Sequence, residues 1–192
     1  MKQNLKNTQK SLLRNAKRSQ RGFNLIELML GLAIVATLIV AIVRGSGSNS
    51  DKANSQIMTT DVTALVNGIK SAYSSGGNGY NGLDNQTARN LSVVPTDLPG
   101  TGATIKNTFG GIVTIASANS DQAFTITYTL VPPAVCQAVV NGMGGASFNK
   151  IEIGGQTVFE NSSSANTPID PGNVGTQCSA AGNSQTIIFT AS

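Results

Sequence analysis

Residues 21–45 read RGFNLIELMLGLAIVATLIVAIVRG, and the fold turns on how they are read. Between residues 28 and 43 only Gly31 and Thr37 interrupt the apolar run. With residues 23–26 added, the stretch reaches the ~20 residues that span a bilayer as a helix. Glu27 stands inside it. A carboxylate in a spanning helix costs roughly 2.5–3.5 kcal/mol and marks a functional position. No cation lies within a helical turn of it, and Arg21 stands beyond the start of the helix. Its partner must come from another molecule, or from an α-amino group made by cutting the chain just before Phe23.

Charge is distributed unevenly around this segment. Lys2, Lys6, Lys10, Arg14, Lys17, Arg18 and Arg21 precede it with no acid among them, while Arg44 and Lys52 are the only cations soon after it. The positive-inside rule then puts the N-terminus in the cytoplasm and the remainder outside. Of the 13 Lys and Arg, six follow Phe23, against all nine acids, so the net charge of +4 belongs to the N-terminal tail. A specific nucleic-acid-binding role is excluded on that distribution, since the rest of the chain has no clustered basic face. As a secretory signal the segment lacks a small-residue cleavage site after its apolar core, because Val43 and Arg44 intervene. A plain signal anchor fits charge and length but leaves Glu27 unexplained.

The chain has 192 residues, room for one modest domain beyond the anchor. Only 11% are charged, and Gly, Asn, Ser and Thr are frequent, which suits an extracytoplasmic surface. Cys136 and Cys178 are the two cysteines; in an exported segment they favour a disulfide over two free core thiols. With no His in the chain, a zinc site and a Ser-His or Cys-His nucleophile are excluded. Asp84, Asp97, Asp121, Glu152, Glu160 and Asp170 are scattered singly and read as solvated surface charge. No enzyme and no cofactor is expected.

Beyond the apolar segment, Gly45 to Ser48 (GSGS) read as a hinge or a partly melted turn. Met58, Val62, Leu65, Val66, Ile69 and Tyr73 then recur at three- and four-residue spacing, which predicts an amphipathic helix over 51–74, ended by Gly76 and Gly77. GNGYNG at 77–82 has the form G-x-G-x-x-G but follows a helix rather than a strand, so it reads as a flexible loop and not a nucleotide site. A short helix is predicted near 86–91. Strands are predicted at 111–116 and 124–130 around the Asn-Ser-Asp turn at 119–121. A helix over 134–141 carries Cys136. A second hairpin, 148–153 with 156–159, turns at Gly154-Gly155, and a closing strand covers 186–190. Residues 161–183 read as a polar, mobile loop holding Cys178. The class is α+β: a long N-terminal helix packed on an antiparallel sheet.

The octapeptide RGFNLIEL at 21–28, behind a basic leader and ahead of an apolar helix, resembles the N-terminal signature of type IV prepilins. That signature has Gly at the last leader position, an apolar residue first in the mature chain and Glu fifth, matched here by Gly22, Phe23 and Glu27. Asn24 stands where the family usually has Thr. The resemblance implies cleavage between Gly22 and Phe23 by a prepilin peptidase, with Phe23 a candidate for N-methylation. Glu27 would neutralise the Phe23 amine of a neighbouring subunit during assembly. Gly31, Ala33, Ala36 and Ala41 would let helices approach closely. It further implies a Cys136–Cys178 disulfide bounding a C-terminal region. The 22-residue leader and head stretches such as IKSAYSSGGNGYNGL resemble type IVb pilins of toxin-coregulated, bundle-forming and thin conjugative pili.

The organisation implied is a cleaved leader (1–22), a transmembrane and filament-core helix (23–47) and an exported head (48–192). The resemblance implies the major structural subunit of a filament built from identical subunits. Its precursor would sit in the bacterial inner membrane, meeting the peptidase and the pilus assembly machinery. The filament would lie outside the cell, where it could touch host or recipient cells for adhesion, aggregation or conjugation. Two other readings compete. One is a pseudopilin of a type II secretion system, which shares the signature but often holds calcium on clustered acids. The other is a signal-anchored periplasmic binding protein or enzyme.

Overall fold

Residues 58, 62, 65, 66 and 69 face one side of any helix they share, and all five are buried. The computed structural model describes residues 50–143, 147–163, 165–182 and 184–192. Its first helix, α1, covers residues 50–73, close to the predicted span. It ends where the Gly76 amide bonds the Tyr73 carbonyl at 3.1 Å. A short α2, Asn85–Asn90, follows, as expected. The leader and the apolar segment lie outside the described residues, and with them Gly22, Phe23 and Glu27. Among the described residues no helix is long and apolar enough to cross a membrane.

Seven strands make one antiparallel sheet: β1 (Ile105–Lys106), β2 (Ile112–Ala118), β3 (Ala123–Val131), β4 (Lys150–Ile153), β5 (Gln156–Asn161), β6 (Asn166–Thr167) and β7 (Gln185–Ala191). Their order is β1-β2-β3-β7-β4-β5-β6. Both predicted hairpins are present. Between β2 and β3 the chain turns through Asn119, Ser120 and Asp121, all at positive φ (51°, 54° and 66°), a region that Asn and Asp tolerate better than most residues. In β3 the pleat puts Phe124, Ile126 and Tyr128 inside and leaves Thr125 and Thr127 half-buried. The strand predicted to close the chain is the middle of the sheet. β7 pairs with β3 on one side and β4 on the other, so it joins the two hairpins.

One apolar cluster joins α1 to the sheet, running from Met58, Leu65 and Ile69 to Ile115, Phe124, Tyr128, Ile151 and Phe189. The chain is therefore a long helix on an antiparallel sheet, as the resemblance implied. Two further helices, α3 (Pro133–Met143) and α4 (Pro171–Ala180), pack against each other. The second corrects the expectation that residues 161–183 form a mobile loop. Asp170 caps α4 by accepting from the Gly172 amide at 3.0 Å, and Pro171 sets φ for the first turn. Val174 and Cys178, four residues apart, bury the inner face.

Candidate functional site: the disulfide and the helix–sheet seam

Cys136 lies in the first turn of α3 and Cys178 in the last turn of α4. Both are fully buried, and a disulfide joins them across a Cα–Cα distance of 5.8 Å. The bond ties the start of one helix to the end of the other over a sequence separation of 42 residues. Val135, Val139 and Val140 of α3 and Val174 of α4 are buried as well. Nothing here could activate a thiol. The site is a staple that holds the C-terminal part of the head as a unit.

The outer face of the same region carries a small charge network. Lys150 bonds Glu152 at 2.9 Å and stands opposite Glu160 in the β4–β5 register. Ser162 donates to Glu160 at 3.2 Å. With Asn119, Gln122 and Asn149 these residues line an open groove of about 510 Å³. Glu152 and Glu160 are thus not the isolated charges the sequence suggested, since Lys150 stands beside one and across from the other. Exposed pairs of this kind contribute little to stability. Among the described residues no three His, Cys, Asp or Glu side chains form a group able to hold a metal ion.

The glycine-rich stretch at 77–82 is docked rather than loose. The Tyr80 amide donates to the Asp121 carbonyl at 2.7 Å, and the Asn81 side chain donates to the Asp121 carboxylate at 2.8 Å. Gly79 has φ of 58°, and a Cβ there would lie 2.1 Å from the Asp121 carbonyl oxygen. Its glycine is required by close approach to the β2–β3 turn. Asp84 caps α2 by accepting from the Thr87 amide at 2.7 Å, and that bond holds its carboxyl below the usual carboxylate range.

Asp61 was missed from the sequence. It falls on the apolar stripe of α1, three residues after Met58 and four before Leu65, and is only 3% exposed. Asp97, another acid read as solitary, is near enough to act on its carboxyl. Burial, then the neighbouring Asp97, pushes the Asp61 carboxyl up to about 7. Tyr128 of β3 lies within electrostatic reach of both acids, and burial raises its phenol well above the usual range. A charged residue in phase with buried neighbours was the available signal.

Comparison with known proteins bears on the whole arrangement. The family model described as "PilS N terminal" matches residues 52–192. The chain is 31% identical over 173 residues to the "Major structural subunit of bundle-forming pilus" of Escherichia coli O127:H6 (strain E2348/69 / EPEC), across 84% of this chain and 89% of that one. The chain belongs to the type IV pilin family. A second relative with the same description, from Escherichia coli O111:H-, is 29% identical over 175 residues, again across 84% of this pilin and 89% of the relative. The pilin's fold is similar to that of TcpA, a type IV pilin from Vibrio cholerae El Tor biotype, with a TM-score of 0.51 at 19% identity, covering 72% of this chain and 99% of that one. The model described as "Prokaryotic N-terminal methylation motif" matches residues 17–43, a span that contains Gly22, Phe23 and Glu27.

Proposed function

We propose that this pilin is the major structural subunit of a type IVb pilus. The observation that carries the reading is the 31% identity, over most of both chains, to the major subunit of a bundle-forming pilus. Neither a pseudopilin nor a signal-anchored binding module is favoured by relatives of that kind. In this reading the seven cations ahead of Phe23 hold the N-terminus in the cytoplasm, and the apolar segment holds the precursor in the inner membrane. Prepilin peptidase cuts between Gly22 and Phe23, and the Phe23 amine is the methylation candidate.

Cleavage resolves the problem posed by Glu27. The new amine is a cation at the depth of the carboxylate, so neighbouring subunits can pair charge as their helices leave lipid for the filament core. Pairing would also fix the axial register, because a shifted helix would bury both charges unpaired. The assembly machinery of the inner membrane then draws identical subunits into an extracellular filament. Heads stapled by Cys136–Cys178 form its outer surface, available to host or recipient cells. The role is structural and needs no catalytic residue.

The test is intact mass of protein sheared from the cell surface without reductant. The expected mass is that of residues 23–192 less two hydrogens, with one methyl added where Phe23 is modified. Filaments composed mainly of other chains would overturn the reading. Glu27→Ala is expected to insert in the membrane and be cleaved, yet to yield few filaments. Wild-type filament yield from that variant would refute the pairing of charges.

A further inference from the structure

Four large apolar side chains stay exposed among the described residues: Ile57, Leu91, Ile112 and Leu130. Leu130 is the one whose backbone is unfavourable. It has φ of 58°, left-handed space in which a leucine is strained. It sits in a bulge of β3, where the three steps from Tyr128 to Val131 face the two steps of β7 from Ile187 to Gln185. Glycine would serve such a bulge without the strain. Core packing does not explain the leucine either, since 51% of it is exposed. A strained residue that the chain's own packing leaves unexplained is a signal of function.

The bulge is clamped from within. The Thr129 hydroxyl accepts from the Ile112 amide at 2.8 Å and donates to the Ile112 carbonyl at 3.2 Å. The Asn107 side chain donates to the Thr129 carbonyl at 2.7 Å. Leu130 follows directly, so it is held as a knob next to the rung that ends in exposed Ile112, and these polar groups at its base are paired inside the chain. A second surface has matching properties. On α1, Ala53, Ile57, Thr60 and Ala64 recur at three- and four-residue spacing, and all four are exposed. They make an uncharged stripe about three turns long, where a solvent face ordinarily carries charge. The Thr60 hydroxyl donates to the Gln56 carbonyl at 2.9 Å, and that of Thr63 to the Thr59 carbonyl at 2.7 Å. Hydroxyls satisfied by their own helix lose little when they are covered.

We propose that Leu130 of one subunit packs on the α1 face around Ile57 of a second copy of this chain in the filament. The inference rests on the reading of the chain as a filament subunit, in which identical heads are one another's neighbours. Charge matching favours this occupant. A neutral knob on a neutral stripe leaves no ion stripped of water, whereas either surface would desolvate the charges of an ordinary solvated partner. Knob and stripe are different patches, so the contact does not close as a pair. It passes from copy to copy, which is the geometry of an open filament. The contact is small and holds no two isolated heads together; its effect comes from repetition along the filament.

The experiment uses filaments on cells that make the whole chain. Leu130→Cys combined with Ile57→Cys is oxidised in intact filaments, which are then dissociated in detergent without reductant. The expected result is a ladder of linked subunits in the double variant and monomer in each single variant. Monomer in the double variant, or a ladder in Leu130→Cys alone, would overturn the proposal, as would a ladder that forms instead with Leu91→Cys. Wild-type filaments free of this chain would sink the subunit reading and the contact with it; filaments of this chain without the linkage sink the contact alone. Leu130→Asn supplies a second reading, since Asn tolerates the left-handed conformation. Its purified pilin should melt no lower than the wild type. Losing the burial of half a leucine weakens each contact by roughly fivefold, and filament yield should fall at least that far. Wild-type yield from that variant contradicts the contact. So does a fall in melting temperature of more than about 5 °C, because the leucine would then be serving its own head.

Discussion

Replacing both half-cystines, Cys136→Ala with Cys178→Ala, isolates the contribution of the covalent staple. Alanine avoids placing a hydroxyl at two fully buried positions. The bond closes a loop across 42 residues of sequence. Chain-entropy reasoning assigns a loop of that size about 4 kcal/mol of stabilisation at 25 °C. Unfolding entropy is about 2.1 cal/mol/K per residue near 60 °C. Over the compact unit Ser46–Ser192 that makes the expected fall in Tm roughly 13 °C. The assay is near-ultraviolet circular dichroism of the whole pilin in detergent. Its three tyrosines, Tyr73, Tyr80 and Tyr128, all lie in the head, and the chain has no tryptophan, so the tyrosine bands report on the head alone. The denaturant slope should rise as the unfolded chain expands. A Tm within 3 °C of the wild type, with a native spectrum, would refute the reasoning. It would mean that residual contacts in the unfolded chain already restrict it nearly as tightly as the bond does.

Three other substitutions test the docking and capping contacts. Gly79→Ala places a methyl against the Asp121 carbonyl at a positive φ, and should lower stability by at least about 2 kcal/mol in urea titration. Gly182→Ala has a similar φ of 72° but meets no atom within 4 Å, so its cost should stay near the ~1 kcal/mol of left-handed strain alone. Equal costs for the two would remove the case for close approach at Gly79. Asp84→Ala should lower the melting temperature at neutral pH through loss of the α2 cap, and Asp84→Asn should restore most of it. Because the cap depresses the Asp84 carboxyl, its contribution is present above the ordinary carboxylate value and fades as pH falls below it. The pH dependence of the melt in Asp84→Asn should therefore be flatter at its acid end.

Local pattern carried most of the fold. Apolar residues at three- and four-residue spacing placed α1, and alternation around a three-residue polar turn placed β2 and β3. The glycine pair at 154–155 placed the second hairpin. What pattern did not carry was non-local or weakly apolar. The sequence PGNVGTQCSA has two glycines and little apolar surface, so α4 looked like loop; its Asp-Pro start was the readable signal. β1 and β6 are two residues each, too short to show a period. The central place of β7 depends on pairings with strands that are distant in sequence, which no local window contains. In the candidate site the cysteines were legible because export makes a pair of thiols a bridge. Asp61 was not, because an acid inside an apolar stripe breaks the rule by which the stripe is recognised. The readings of Gly22, Phe23 and Glu27 fall outside the described residues, and their test is the intact mass.

The position of β7 has a consequence for biogenesis. A ribosome delivers β2–β3 first and β4–β5 later, yet neither hairpin bonds the other; both wait for a strand synthesised after them. Each hairpin offers an open edge until residues 185–191 emerge. The sheet of the head therefore cannot close until its central strand has been made. On the proposed export route, a head threaded outward as it is made would stay unfolded until that strand is released. The interval is also the hazard: a nascent head stalled before its final strand exposes two apolar half-sheets to one another's neighbours. Chaperone demand should concentrate on that short window.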